Sequence, residues 1–143
     1  MDLRGVAMVT RAGTVQTELA GGLADAAAGV PCTAQTRFQI CSISKQFAAV
    51  AALLLAEGGR LALDDPVDHW LPGGPPQWSG VTLHHLLSHT AGVSHWLEAP
   101  DLDPAEPINI GERLAVILRT PLRTAPGDTW HYSSPASCSP AAS

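Results

Sequence analysis

Apolar and polar positions alternate from Thr14 to Leu19, with Val15, Thr17 and Leu19 set against Gln16 and Glu18. The short apolar run Gly5 to Thr10 (G-V-A-M-V-T) comes just before, and Arg11-Ala12-Gly13 separates the two. A period of two broken by a turn predicts a β-hairpin. Gly21-Gly22 and Ala26 to Gly29 read as a small-residue loop, and Thr36 to Ile40 as a further brief strand. The period then becomes helical. Phe47, Val50, Ala51 and Leu54 recur at helix spacing, with Ile43 one turn earlier, which predicts a helix from about Ser42 to Glu57. Ala and Leu, both strong helix formers, dominate it, and Gly58-Gly59 ends it. Its middle is apolar on nearly every side, so burial on most sides is expected.

Further along, Asp64-Asp65-Pro66 reads as a helix start with Pro66 in the first turn. Pro72-Gly73-Gly74-Pro75-Pro76 is a loop. Thr82 is placed to cap a short helix running to about His89, with Leu83, Leu86 and Leu87 inward. Ala99 to Pro107 is a surface loop. Ile110 to Arg119 is a helix with Leu114, Ile117 and Leu118 inward, and Ala125-Pro126-Gly127-Asp128 is a turn.

Composition narrows the function classes. The chain has 143 residues, 45% hydrophobic and 15% charged, which describes a globular chain of about one domain. The formal net charge of -5, with no basic stripe, argues against nucleic acid or anionic lipid as a partner. The longest apolar segment, Ala48 to Ala56, falls well short of the ~20 residues of a membrane span. Met1-Asp2-Leu3-Arg4 runs straight into the first strand without a signal-peptide pattern. A cytoplasmic location is expected if that start is genuine; otherwise the true start lies upstream. Cys32, Cys41 and Cys138 form no metal spacing and are expected as free thiols.

Three sets of residues carry candidate chemistry. Ser42-Ile43-Ser44-Lys45 is an S-x-x-K motif at a helix start. Residues three apart share a helix face, so the lysine amine reaches the serine hydroxyl. A neutral amine there can take the hydroxyl proton and leave a nucleophile, and the helix N-terminus favours the developing negative charge. Taken alone, so common a motif reads far more readily as an N-cap serine followed by a solvated lysine. A charge at the head of an apolar helix, however, needs a reason. Tyr132-Ser133-Ser134 is the second set: a phenol beside an ammonium is drawn toward phenolate and can act as a base. The third is His84, His85 and His89. His85 and His89, four apart, could share a face as metal ligands do, but no carboxylate or cysteine stands at a supporting spacing. Structural or solvent-facing histidines are expected, and no metal.

Several segments in order resemble the serine β-lactamase and penicillin-binding-protein superfamily, especially its class C branch of β-lactamases, D,D-peptidases, D-aminopeptidases and carboxylesterases. They are the hairpin Gly5 to Leu19, Gly21-Gly22-Leu23-Ala24-Asp25, Thr36 to Lys45 (T-R-F-Q-I-C-S-I-S-K), Gly59 to Val67, Val81 to Val93, and Ala125-Pro126-Gly127 through Tyr132-Ser133. The resemblance implies an α/β fold of the α+β sandwich type, here an incomplete β-lactamase/transpeptidase-like fold with its C-terminal strands missing. It makes Ser42 the acylated nucleophile, and Lys45 and Tyr132 the groups that share the proton transfers. The Ser42 backbone N–H becomes half of an oxyanion hole. It needs no cofactor, and it reads His89-Thr90-Ala91-Gly92 as a structural signature. The second family motif is usually Tyr-x-Asn. Ser134 stands at the Asn position as the substrate-binding residue, with one hydroxyl in place of an amide. The third motif, a Lys-Thr-Gly or His-x-Gly strand, is absent from the sequence.

Residues 1–135 are thus expected as the N-terminal part of such a hydrolase domain. Residues 136–143, which contain only Ala, Ser, Cys and Pro, are expected as a non-family tail. The expected origin of that tail is a frameshift near Pro135. Read from the third base of the Pro135 codon, with four-fold serine codons, the same bases force three consecutive apolar residues where the family has them. The expected function is acyl-enzyme hydrolysis of an ester, amide or β-lactam, with a small-molecule or peptide-like acyl substrate. The rival is an inactive remnant of such an enzyme. Oligomeric state is not legible in the residues.

Overall fold

The hairpin forms where the period of two places it. β1 (Gly5–Arg11) and β2 (Thr14–Gly21) pair antiparallel, from Arg11 opposite Thr14 to Gly5 opposite Gly21. Ala12 and Gly13 turn the chain at φ of 49° and 79°. Two central residues at positive φ give the turn whose twist matches that of the strands. The pairing shifts after Val9, leaving Gln16 as the extra residue of a bulge. This chain is seen in a computed structural model that describes residues 3–71, 74–95, 98 and 109–134. It divides into two units, Met1–Ile40 and Cys41–Ser143.

The first unit also holds a small ladder, β3 (Leu23–Asp25) with β4 (Val30–Pro31), on either side of Ala26 to Gly29, which form the expected loop. The Asp25 carboxylate accepts from the N–H groups of Ala27 and Ala28, both at 2.9 Å, and so closes the connection. Thr36 to Ile40, expected as a strand, is not one. An extended segment becomes a strand only by pairing. Instead, a turn precedes it, in which Thr36 N–H donates to the Thr33 carbonyl and Thr33 N–H to Thr36 Oγ1, both at 2.9 Å.

The second unit opens with one 3₁₀ turn, Cys41–Ile43, that leads into α1 (Ser44–Glu57). The end of α1 is a Schellman cap: Arg60 N–H donates to Leu55 O at 2.9 Å and Gly59 N–H to Ala56 O at 3.0 Å. Gly59 sits at φ 64°, the left-handed conformation that this cap requires. The expectation that α1 is buried on most sides does not hold. None of its residues is buried, and Phe47 is 67% and Leu54 62% exposed. A helix apolar all round needs partners all round, and the described residues do not supply them.

Asp65-Pro66 also departs from its expected helix start. Pro66 is extended (ψ 140°) and bridges Thr82, and Val67 N–H donates to Val81 O at 2.9 Å. Only a 3₁₀ turn, Val67–His69, follows. The helix α2 (Leu83–Leu87) starts where the Thr82 cap predicts and ends two residues short of His89, and α3 (Ile110–Arg119) spans its expected range. Thr82 Oγ1 accepts from His85 N–H while His85 Nδ1 accepts from Thr82 N–H. Asn109 and Glu112 make the same reciprocal pair at 3.0 Å. Leu83, Leu86 and Leu87 are half-buried, as are Leu114 and Leu118, while Ile117 and its neighbour Val116 are buried. The core joins Val67, Trp78, Val81, Ala91, Val93 and Ile117. Asp128 N–H closes the turn from Ala125 at 3.2 Å. No described helix is long and apolar enough to cross a membrane. The loop expected over 99–107, residues 72 and 73 of the Pro-Gly loop, and the tail 136–143 lie outside the described residues.

Candidate active site

Ser42 lies in the 3₁₀ turn and Lys45 in the first turn of α1. Their spacing of three puts both on one face, and Lys45 Nζ donates to Ser42 Oγ at 3.3 Å. Ser42 is exposed and Lys45 half-buried.

Tyr132 reaches the same oxygen along a second route. The segment His89–Gly92 holds the chain from Arg123 to His131 through three backbone bonds, each 2.8 Å. Arg123 N–H donates to Gly92 O, Gly127 N–H to Thr90 O, and His131 N–H to His89 O. Gly92 is at φ 72°, and a Cβ there would run into the Thr124 carbonyl oxygen. Only glycine fits this approach. Ser133 is buried. Its N–H donates to His89 Nδ1 at 3.3 Å and its Oγ to Ser94 O at 3.2 Å. Its two neighbours meet the Ser42–Lys45 pair. Tyr132 Oη donates to Ser42 Oγ at 2.7 Å, and Ser134 Oγ accepts from Lys45 Nζ at 3.4 Å. The Lys45 ammonium also sits 5.0 Å from the centre of the Tyr132 ring.

All four residues singled out in the sequence therefore meet in one cluster, which explains the charge at the head of an apolar helix. The Lys45 ammonium, then the hydroxyls of Ser42 and Ser134, pull the Tyr132 phenol down from 10.0 to about 8. Burial opposes that shift but is outweighed. Burial, and then the Lys45 charge, lower the pKa of His89. The cluster can move a proton between a phenol and a serine hydroxyl beside a fixed positive charge.

The other histidines have separate places. His85 belongs to the α2 cap. His84 is exposed. His131 Nε2 approaches Glu98 Oε2 at 3.3 Å, where Arg123 also pairs with that carboxylate at 2.7 Å. Among the described residues no three His, Cys, Asp or Glu side chains gather as a metal site. Cys32 and Cys41 are free thiols. An apolar cavity of about 140 Å³ touches Trp78, His89 and Ser133 but neither Ser42 nor Lys45, so it lies apart from the reacting groups. Sequence reasoning gave His89 no part in the site beyond a signature, because its contacts depend on a fold-level meeting with residues more than forty positions away.

A scan against known families matches residues 1–137 to the beta-lactamase family. Esterase EstB of Burkholderia gladioli is 38% identical over 144 residues, covering 90% of this chain and 37% of the esterase. A penicillin-binding protein from Bacillus halodurans superposes with a TM-score of 0.79 at 31% identity, over 93% of this chain and 41% of that one. EstCE1, described as a hydrolase with promiscuous acyltransferase activity, superposes at 0.74 with 31% identity, over 90% and 38%. The fold is that of the β-lactamase and penicillin-binding-protein type. The chain belongs to the beta-lactamase family. It spans about two fifths of the length of these relatives.

Proposed function

We propose that this chain carries the nucleophile half of a serine hydrolase site that works by acyl transfer. The observation that carries the reading is the convergence of Tyr132 Oη, at 2.7 Å, and Lys45 Nζ, at 3.3 Å, on one oxygen, Ser42 Oγ. In the reacting form Tyr132 is phenolate and takes the Ser42 proton. Oγ then attacks a carbonyl carbon, and the carbonyl electron pair moves onto its oxygen near the Ser42 N–H. Collapse breaks the bond to the leaving group, which takes the proton back from Tyr132. Water, deprotonated by the same phenolate, hydrolyses the acyl-enzyme. Lys45 supplies the positive charge that makes the phenol acidic. Ser134 holds Lys45 and faces the substrate. The substrate is a small-molecule or peptide-like ester, amide or β-lactam; an esterase and a penicillin-binding protein among the relatives favour that range. In this reading residues 1–135 are the hydrolase portion and the tail beyond them is not, which sequencing the coding DNA through Pro135 tests.

One observation favours a second reading, a remnant without turnover: the apolar face of α1 is uncovered among the described residues, with Phe47 67% exposed. Treatment with a fluorophosphonate or a β-lactam, followed by peptide mass mapping, separates the two. Adduct on Ser42, lost in Ser42→Ala, supports acyl transfer. Folded protein that takes no adduct supports the remnant.

A further inference from the structure

We infer that His89 is the positioning residue for Tyr132: one neutral imidazole, with its own backbone carbonyl, grips the chain on both sides of the phenol and aims it at Ser42. The His89 carbonyl accepts the N–H of His131 at 2.8 Å, and its Nδ1 accepts the N–H of Ser133 at 3.3 Å. Tyr132 is the residue between these two anchors. The imidazole ring also packs against the phenol, with centroids 4.8 Å apart at 41°, and meets the Trp130 ring edge-on at 6.4 Å.

Two features show that the grip is specific to this residue. His89 adopts φ 59°, a left-handed conformation in which few side chains are at ease and His, Asn and Asp are enriched. That conformation lets the carbonyl and the side chain of one residue reach N–H groups two positions apart. An Nδ1 that accepts a hydrogen bond carries no proton, so the ring holds its single proton on Nε2 and is neutral. The charged and titratable groups around it agree with that form. Lys45 repels a second proton, Tyr132 and Trp130 present ring faces and edges, and His131 bonds through its backbone. A charged His89 would have to release Ser133 and face Lys45.

The catalytic meaning of this role rests on the acyl-transfer reading, but its test needs no turnover. Tyr132 is the single tyrosine of the chain, so phenolate absorbance titrates it alone. His89→Gly accepts φ 59° and keeps the carbonyl but removes the Nδ1 acceptor. His89→Asn tolerates the same φ and places an oxygen acceptor close to where Nδ1 stood. The expected midpoint is about 8 in the parent protein, moving back toward 10 in His89→Gly and staying near the parent value in His89→Asn. A folded His89→Gly protein that titrates like the parent overturns the proposal, as does His89→Asn moving as far as His89→Gly. Should His89→Gly fail to fold, ¹⁵N spectroscopy of the imidazole in the parent protein decides: a bare Nδ1 at neutral pH supports the grip, and a protonated Nδ1 overturns it. Adduct formation at Ser42 is read separately, so failure of the hydrolase reading leaves this result standing.

Discussion

Tyr132 Oη lies 2.7 Å from Ser42 Oγ across ninety positions of sequence. The bond joins the first turn of the second unit to its last described segment. A phenol that ionises at about 8 is roughly one tenth phenolate at pH 7 and mostly phenolate at pH 9. The rate of Ser42 acylation should therefore rise with pH along a curve centred near 8. Tyr132→Phe should slow it by about 10²–10⁴, the usual range for a lost general base. Fluorophosphonate labelling followed across pH checks both. A rate flat between pH 6.5 and 9.5 would remove Tyr132 from the proton path.

Lys45 is the first cause of that acidity. Lys45→Met keeps an unbranched side chain of similar length and removes the charge. The Tyr132 titration should then move from about 8 back toward 10, read as phenolate absorbance. An unmoved midpoint would mean that the hydroxyls of Ser42 and Ser134 set the phenol's acidity without Lys45.

The same pair shows how far the sequence was legible. Ser42 and Lys45 could be read because residues three apart at a helix start share a face. The Thr82 cap of α2 could be read because capping needs only local residue types. Tyr132 and Ser134 needed the ordered family motifs to be linked with Ser42, since no local rule spans ninety residues. His89 stayed hidden because its role depends on a positive φ and on two distant N–H groups. Thr36 to Ile40 and α1 misled for one reason. Apolar pattern reports a capacity to pair or to be buried, while the outcome depends on what lies opposite.

Gly92→Ala should destabilise the second unit by about 2–4 kcal/mol, because a Cβ there meets the Thr124 carbonyl in a backbone conformation alanine resists. Gly58→Ala is the control. Gly58 has φ -76° and its added Cβ would have near-ordinary contacts, so its effect should stay within about 1 kcal/mol. Urea unfolding of the two variants, followed by tryptophan fluorescence, makes the comparison. Equal midpoints would show that the close approach of Gly92 to Thr124 is not maintained in solution.

Stability should fall on mild acidification, and His89 sets the sign. Its folded pKa is below 6.5, so as pH drops through 6.5 the unfolded chain takes up a proton that the folded protein resists. The loss is complete once pH passes the folded value. Glu98, held down chiefly by Arg123, adds a second loss as pH falls below 4.5 toward its folded pKa. His89→Asn should flatten the first window and leave the second. Urea midpoints at pH 7.5, 6, 5 and 4 separate them; a parent protein equally stable at 7.5 and 5 contradicts the burial of a neutral His89.

The exposed stripe of α1 decides which form of the chain exists in solution. Phe47, Val50 and Leu54, at 67%, 54% and 62% exposure, follow one another at helical spacing. Apolar area costs about 25 cal/mol per Å² while it stays in water, so such a stripe favours association. If the stripe is open in the folded chain, Phe47→Ser with Leu54→Ser should reduce concentration-dependent association in sedimentation and change unfolding stability by less than about 1 kcal/mol. If the stripe is covered in solution, the same pair should cost about 4 kcal/mol or more, since two large side chains would then leave a cavity. The first outcome fits a chain whose site cluster stands on an uncovered helix. The second means that α1 is covered in solution, and the adduct test at Ser42 then probes a more closed site.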